Sequence, residues 1–281
     1  MAGITDAHVP SLLPAHKNWK LIWHDEFDGN TLDMTKWSYR LHLMGHRYTT
    51  YTDEAAHLDG NSCLRLELLE KDGHYYTSQI QTGYNFMDKP SREFGGEYSN
   101  EPGLPPTKMI WPIAHIDEPK FQHKYGYYEI RCKLPTQPGW WAAFWLQSPC
   151  IGSTLDPSRS GVEVDIMENF TRDNVINHNN HWNGYGDQHE HKGAGGRKLT
   201  DTPDGFHTFG LEWTPDEYIY YVDGKESWRV DGPISNVEQF ILLSTECKGY
   251  RDGDQPDPVL KKAELPDAFI IDYVRVYDEV K

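Results

Sequence analysis

The segment GVEVDIMENF, residues 161–170, alternates apolar and acidic side chains over its first half. Successive side chains of an extended strand point to opposite faces. Glu163 and Asp165 therefore share one face, and Val162, Val164 and Ile166 share the other. A strand with one apolar and one charged face belongs to a sheet that covers a core on one side only.

The same period recurs in both directions along the chain. Residues 126–134, 140–146 and 175–182 read as neighbouring strands, as do 19–27, 62–69, 74–82, 206–213, 218–222, 227–230, 240–247 and 269–277. In 62–69, Leu64, Leu66 and Leu68 face one way and Cys63, Arg65 and Glu67 the other. Asp72-Gly73 and Asp223-Gly224 are hairpin-turn signals. A short turn or single helical turn is expected near 33–37 and a short helix near 235–240. No long helical apolar stripe is present. Many short strands between turn signals predict an all-β sandwich or barrel. Residues 1–18, with Pro10 and Pro14, read as an irregular arm, and 19–281 as one β-sandwich domain. Two stretches break the rhythm: 84–120, and the Gly- and His-rich 183–205, both read as loops.

A chain of 281 residues, 37% hydrophobic, can bury a large core. It carries 10 Trp and 17 Tyr, and flat amphipathic rings line binding surfaces as readily as cores. Lys and Arg number 27 against 43 Asp and Glu, a net charge of -16. That surface repels phosphate backbones, so no nucleic-acid partner is expected. No run of 18 apolar residues exists, so no membrane-spanning helix is expected. The opening MAGITDAHVP has no basic region followed by an apolar stretch, which fits a cytoplasmic protein or one whose leader has been removed. Cys63 and Cys132 fall in strand-like runs and read as buried thiols. Cys150 and Cys247 lie in or near loops, where a disulfide between them is an option.

The acids carry the chemistry. Glu168 lies five positions beyond Glu163, so strict alternation sends it to the opposite face. One extra residue near Ile166-Met167, a β-bulge, brings it back. The two Cα atoms are then about 13 Å apart, and inward-leaning side chains bring the carboxyls to roughly 5–6 Å. A retaining glycosidase needs that separation, because nucleophile and proton donor meet at one anomeric centre. Crowded acids raise one another's pKa and titrate as a set, with Asp165 between the two glutamates. A solvated sheet face and a divalent-cation site are the alternatives.

Residues 161–168 resemble the active-site signature of glycoside hydrolase family 16 in its bulged form: Glu, aliphatic, Asp, aliphatic, Met, Glu. WHDEFDG (23–29), FQHKYGYYEIRCKLP (121–135), GWWAAFWL (139–146), FHTFGLEWTPDEYIYYVDG (206–224) and IIDYVRVY (270–277) extend the resemblance from about residue 20 to the C-terminus. It implies a jelly-roll sandwich of two curved antiparallel sheets with a concave cleft, and endo-acting, retaining cleavage of β-glycans. By position Glu163 matches the nucleophile, Asp165 its helper and Glu168 the acid/base. The bulged form resembles the β-1,3-glucanases, agarases and carrageenases more than the lichenases. Many members hold a structural calcium, and Asp272 matches a late aspartate of such sites. Catalysis itself implies no cofactor. Members are usually secreted, so a secreted or periplasmic enzyme, monomeric and without its leader, is expected. Where laminarin-cleaving members show Trp-Pro-Ala-Phe-Trp, this chain has Trp141-Ala142-Ala143-Phe144-Trp145.

Trp141, Trp145 and Trp182 are candidates for sugar stacking, and His181 and Glu246 for sugar hydroxyls. His178, His181, His189 and His191 also raise a zinc reading, and Arg92, Arg131 and Arg251 an anion-reading one. The leading substrate is a β-1,3-glucan. The alternatives are an endo-β-galactanase acting on agar, porphyran, carrageenan or host-type glycans, and a non-catalytic carbohydrate-binding protein.

Overall fold

The computed structural model describes residues 5, 8–43, 46–83, 118–170, 173–253 and 255–280. Two large sheets face each other, and every strand pairing among the described residues is antiparallel. The nine-stranded sheet runs in the order Lys225–Val230, Tyr218–Val222, His207–Trp213, Gly126–Lys133, Asp267–Val280, Leu64–Lys71, Ala56–Leu58. Asn18–Asp25 also pairs with Asp267–Val280, and His74–Tyr76 with Leu64–Lys71. The eight-stranded sheet runs Glu190–Gly193, Val175–Trp182, Glu163–Asn169, Trp140–Gln147, Phe240–Cys247, Gln79–Gln81, Ser38–Tyr39, with Arg197–Lys198 also on Val175–Trp182. Two facing sheets of this kind make the all-β jelly-roll sandwich expected from the sequence.

Alternation dictates what lies between the sheets. Ile130, Phe209, Leu211, Val274 and Val276 from one sheet meet Phe144, Leu146, Val164, Ile166, Ile241 and Leu243 from the other, all without solvent exposure. Burying each such side chain stabilises the fold by about 1.5–3 kcal/mol. In Leu64–Lys71, Leu64, Leu66 and Leu68 are buried while Arg65, Glu67 and Leu69 stay partly exposed. Asp72 (φ 55°) and Gly73 (φ 81°) close its hairpin as the two-residue signal requires. The arm is tied down: Leu12 N–H donates to Glu129 Oε2 (3.0 Å) and Arg275 Nη1 to the Val9 carbonyl (2.9 Å).

Several expectations change. Residues 74–82 are two strands, His74–Tyr76 in one sheet and Gln79–Gln81 in the other. Residues 77–79 at the crossing are Thr, Ser and Gln, so no apolar residue marks it in the sequence. The 183–205 loop contains the strands Glu190–Gly193 and Arg197–Lys198, whose exposed polar residues lack an apolar face to announce them. No helix forms at 235–240, while short helices stand at Pro157–Ser160 and Tyr250–Gly253. Cys150 and Cys247 are free thiols. Cys247 pairs with Trp140 at one end of the Trp140–Gln147 strand, and Cys150 follows the other end. That strand keeps them roughly 20 Å apart, far beyond disulfide reach. Most of the 84–120 stretch, with Arg92, lies outside the described residues. No described helix is long and apolar enough to cross a membrane.

Candidate active site

One face of the eight-stranded sheet forms a cleft of ≈ 640 Å³. Its floor comes from the Trp140–Gln147 and Glu163–Asn169 strands, and its register is the key to it. Met167 pairs with Phe144, yet Asp165 pairs with the next residue, Trp145. On the other flank Glu168 pairs with Asn177 and Asp165 with Asn179. Both neighbours thus count one extra residue between Asp165 and Glu168. Ile166 and Met167 both enter the core, with 0% exposure, and the side chains of Glu163, Asp165 and Glu168 all line the cleft. The bulge sits where the sequence spacing demanded it.

The three acids differ in their surroundings. Burial pushes Glu163 upward, but hydrogen bonds from Tyr185 Oη and Gln147 Nε2 (3.3 Å) and the neighbouring His181 and Arg40 pull it back. Burial, and then the charge of Glu163, drive Asp165 well above the usual carboxylate range. Burial and then Asp165 do the same to Glu168, with Asn179 Nδ2 as the neutral donor opposing it. His181 Nε2 lies 3.3 Å from Asp165 Oδ2. One cleft thus holds a glutamate raised by burial but opposed by the donors around it, beside a glutamate that burial drives well above the usual carboxylate range. Such a split separates a nucleophile from an acid.

The remaining candidates fall on both sides of the sheet. Trp141 and Trp145 share the cleft face, with Phe144 turned into the core. Arg251 lies over the Trp141 ring (5.7 Å) and Arg40 over Trp145 (5.8 Å). Glu246 lines the far end, held by Arg251 Nε (2.9 Å) and Tyr48 Oη (3.3 Å). Trp182 does not reach the cleft. It follows His181 by one residue, so it takes the opposite face and packs against the core, its Nε1 donating to Glu190 (3.2 Å).

His181, His189 and His191 stack along one wall, with ring centroids 5.1 Å apart for His181–His189 and 5.6 Å for His181–His191. His178 is fully buried on the other face, so the zinc set is split. Glu163, Asp165 and His181 each bring a ligand atom within 4.8 Å of the others, a donor set able to hold a divalent cation. Asp272 does not suit calcium: Arg131 Nη1 sits 2.5 Å from it, and that guanidinium, also paired with Asp204, occupies the cation's place. Arg131 is thereby committed on the other sheet, whereas Arg251 stands in the cleft.

A family model for the glycosyl hydrolases of family 16 matches residues 114–238. A glucan endo-1,3-β-glucosidase from Niallia circulans is 27% identical over 95% of this chain, and a β-glucanase from Rhodothermus marinus is 26% identical over 92%. The chain spans 39% of the first protein's length and 85% of the second's. The catalytic domain of an endo-1,3-β-glucanase (laminarinase) from Thermotoga petrophila superposes with a TM-score of 0.66 at 26% identity, covering 94% of this chain and 100% of that one.

Sequence and fold both make this chain similar to glycoside hydrolase family 16.

Four polar residues of this site had no signal in the sequence: Arg40, Gln147, Asn179 and Tyr185. Gln147 and Asn179 follow from alternation once the cleft face of each strand is known. Tyr185 comes from a loop, which has no period to read. Its loop is seated by glycine contact: a Cβ on Gly152 would stand 2.7 Å from the Gly184 Cα.

Proposed function

We propose that this chain is a family 16 retaining endo-glycosidase acting on β-1,3-linked glucan, with mixed-linkage glucan as a related substrate. The unequal environment of the two glutamates carries this reading. A glucan chain lies along the cleft, stacked on Trp141 and Trp145, with Glu246 and His181 toward its hydroxyls. Glu168 gives its proton to the glycosidic oxygen as Glu163 attacks the anomeric carbon, and the shortened chain leaves as an alcohol. Tyr185 and Gln147 hold Oε2 of Glu163, so Oε1 forms the new bond. Glu168, now a carboxylate, takes a proton from water, whose oxygen displaces Glu163 with net retention. Asp165, beside Glu163, modulates it as that bond forms and breaks. A polymeric substrate supports a secreted or periplasmic location, and the shared core supports one catalytic domain over 19–281.

The test is a panel of laminarin, mixed-linkage glucan, agarose, porphyran, carrageenan and mucin-type glycans. Each is read by product size and by the anomer first released, with wild type beside Glu163→Gln. The expected result is short β-anomeric oligosaccharides from laminarin, and a loss of more than about 10³-fold in Glu163→Gln. Near-normal turnover by that variant, or an inverted anomer, refutes the mechanism. Cleavage of the galactans alone replaces the substrate.

A further inference from the structure

The bulge that aims Glu168 has a cost of its own. Ile166 has no register partner on either neighbouring strand. Its carbonyl lies inside the protein, where an unsatisfied backbone acceptor costs about 1–3 kcal/mol. The carbonyl is met by a side chain: His178 Nδ1 lies 2.7 Å from it. His178 stands in the interval of the Val175–Trp182 strand that faces the bulge, between Asn177 (opposite Glu168) and Asn179 (opposite Asp165).

A carbonyl only accepts, so Nδ1 carries the proton. Nε2 of the neutral ring then accepts from the Ser227 hydroxyl, 3.0 Å away on the Lys225–Val230 strand of the opposite sheet. The ring lies against Tyr220 (4.9 Å between centroids) and has no solvent exposure. Burial lowers its pKa to about 4, which keeps it neutral and in that tautomer over the range where glycosidases work. One histidine therefore ties the bulge in the cleft sheet to a second irregular point across the core, the register shift at Ser227.

We propose that His178 is the positioning residue for Glu168, holding the bulge that turns this carboxyl into the cleft. The inference rests on the acid/base role proposed above. A strand has two ways to run from Asp165 to Glu168. With the bulge the acid enters the cleft; with plain alternation its side chain turns to the core face. The His178 hydrogen bond exists only in the first arrangement. A merely structural buried histidine would affect stability and leave the acid where it is.

The experiment compares His178→Leu, which removes the donor at similar volume, His178→Asn, whose amide restores a donor near Nδ1, and Ser227→Ala, which loosens the ring from the far side. Each is assayed on laminarin, which needs a proton from the acid. Each is also assayed on a dinitrophenyl β-oligoglucoside, whose leaving group needs none, with azide to replace the water that Glu168 activates. His178→Leu is expected to lose about 10²-fold in kcat on laminarin with KM within about 2-fold. On the activated substrate with azide it stays within about 5-fold of wild type and yields a glycosyl azide. His178→Asn recovers most of the laminarin activity. Ser227→Ala gives the same pattern at about 3–10-fold, which keeps the test alive if His178→Leu does not fold. Equal losses on both substrates, or unchanged laminarin turnover, overturn the inference.

A second readout needs no substrate. The ¹³C-carboxyl titration of Glu168 should shift in His178→Leu, because the side chain leaves its contacts with Asp165 and Asn179. An unshifted titration overturns the positioning role whatever glycan is cleaved. A shifted titration in an enzyme inactive on every glycan supports the positioning of Glu168 and overturns the glucan reading alone.

Discussion

The Trp140–Gln147 strand has two neighbours that treat it very differently. Phe240–Cys247 pairs with it in unbroken register, from Trp140↔Cys247 to Gln147↔Phe240, and every residue of that neighbour is buried. Glu163–Asn169, on the other side, slips by one residue and turns three acids into the cleft. The regular side maximises ladder hydrogen bonds and apolar burial. The bulged side spends some of both to hold carboxyls in surroundings that resist their ionisation. Stability and chemistry thus sit on opposite flanks of one shared strand, which carries both tryptophans of the cleft.

That division can be broken from either side. Leu243, fully buried opposite Phe144, belongs to the regular flank. Leu243→Ala should lower unfolding free energy by about 2–5 kcal/mol in a denaturant titration. The kcat of the folded fraction should remain unchanged; a large fall in kcat would mean that the two flanks are not separable. Tyr185→Phe removes one hydrogen bond to Glu163 and almost no volume. A hydrogen bond to a charged group is worth about 1.5–3 kcal/mol, so turnover should fall by about 10–100-fold while the melting temperature barely moves. The acid limb of the pH–rate profile should shift upward, because Glu163 loses a donor that holds its pKa down.

The smallest effect has the opposite sign. Burial raises the folded-state pKa of Glu168, so the native state holds this proton more tightly than the unfolded chain does. Native stability therefore falls as pH rises from the unfolded value near 4.5 through the folded one. Glu168→Gln removes that penalty while abolishing proton transfer. At pH 7 it should gain about 0.5–2 kcal/mol, and the gain should vanish as pH approaches 4. Scanning calorimetry at the two pH values checks it. Equal or lower stability at pH 7 would show that the bulged flank carries no electrostatic strain.

Much of this was legible because alternation is a local property. The period of 161–166 separates Val164 and Ile166 from Glu163 and Asp165 without knowledge of any neighbour. The misplacement of Glu168 by one residue was itself the sign of a bulge. The same rule placed Trp141 and Trp145 on one face, and applied one residue further along the Val175–Trp182 strand it turns Trp182 away from His181. Tyr185 and the exposed Glu190–Gly193 strand were illegible, since neither presents a periodic apolar face. Asp272 was matched by position alone, and its pairing with Arg131 depends on which strands lie side by side.

The linear chain by itself determined an alternating all-β architecture, a charged face bearing Glu163 and Asp165, and the need for one extra residue before Glu168. Those follow from side-chain geometry within a few residues. Only the tertiary structure decided which donors meet each acid, that Cys150 and Cys247 stand at opposite ends of a strand, and that His178 reaches the Ile166 carbonyl. Such facts depend on register and on which strand lies across the core, and these are set by packing between segments far apart in the chain.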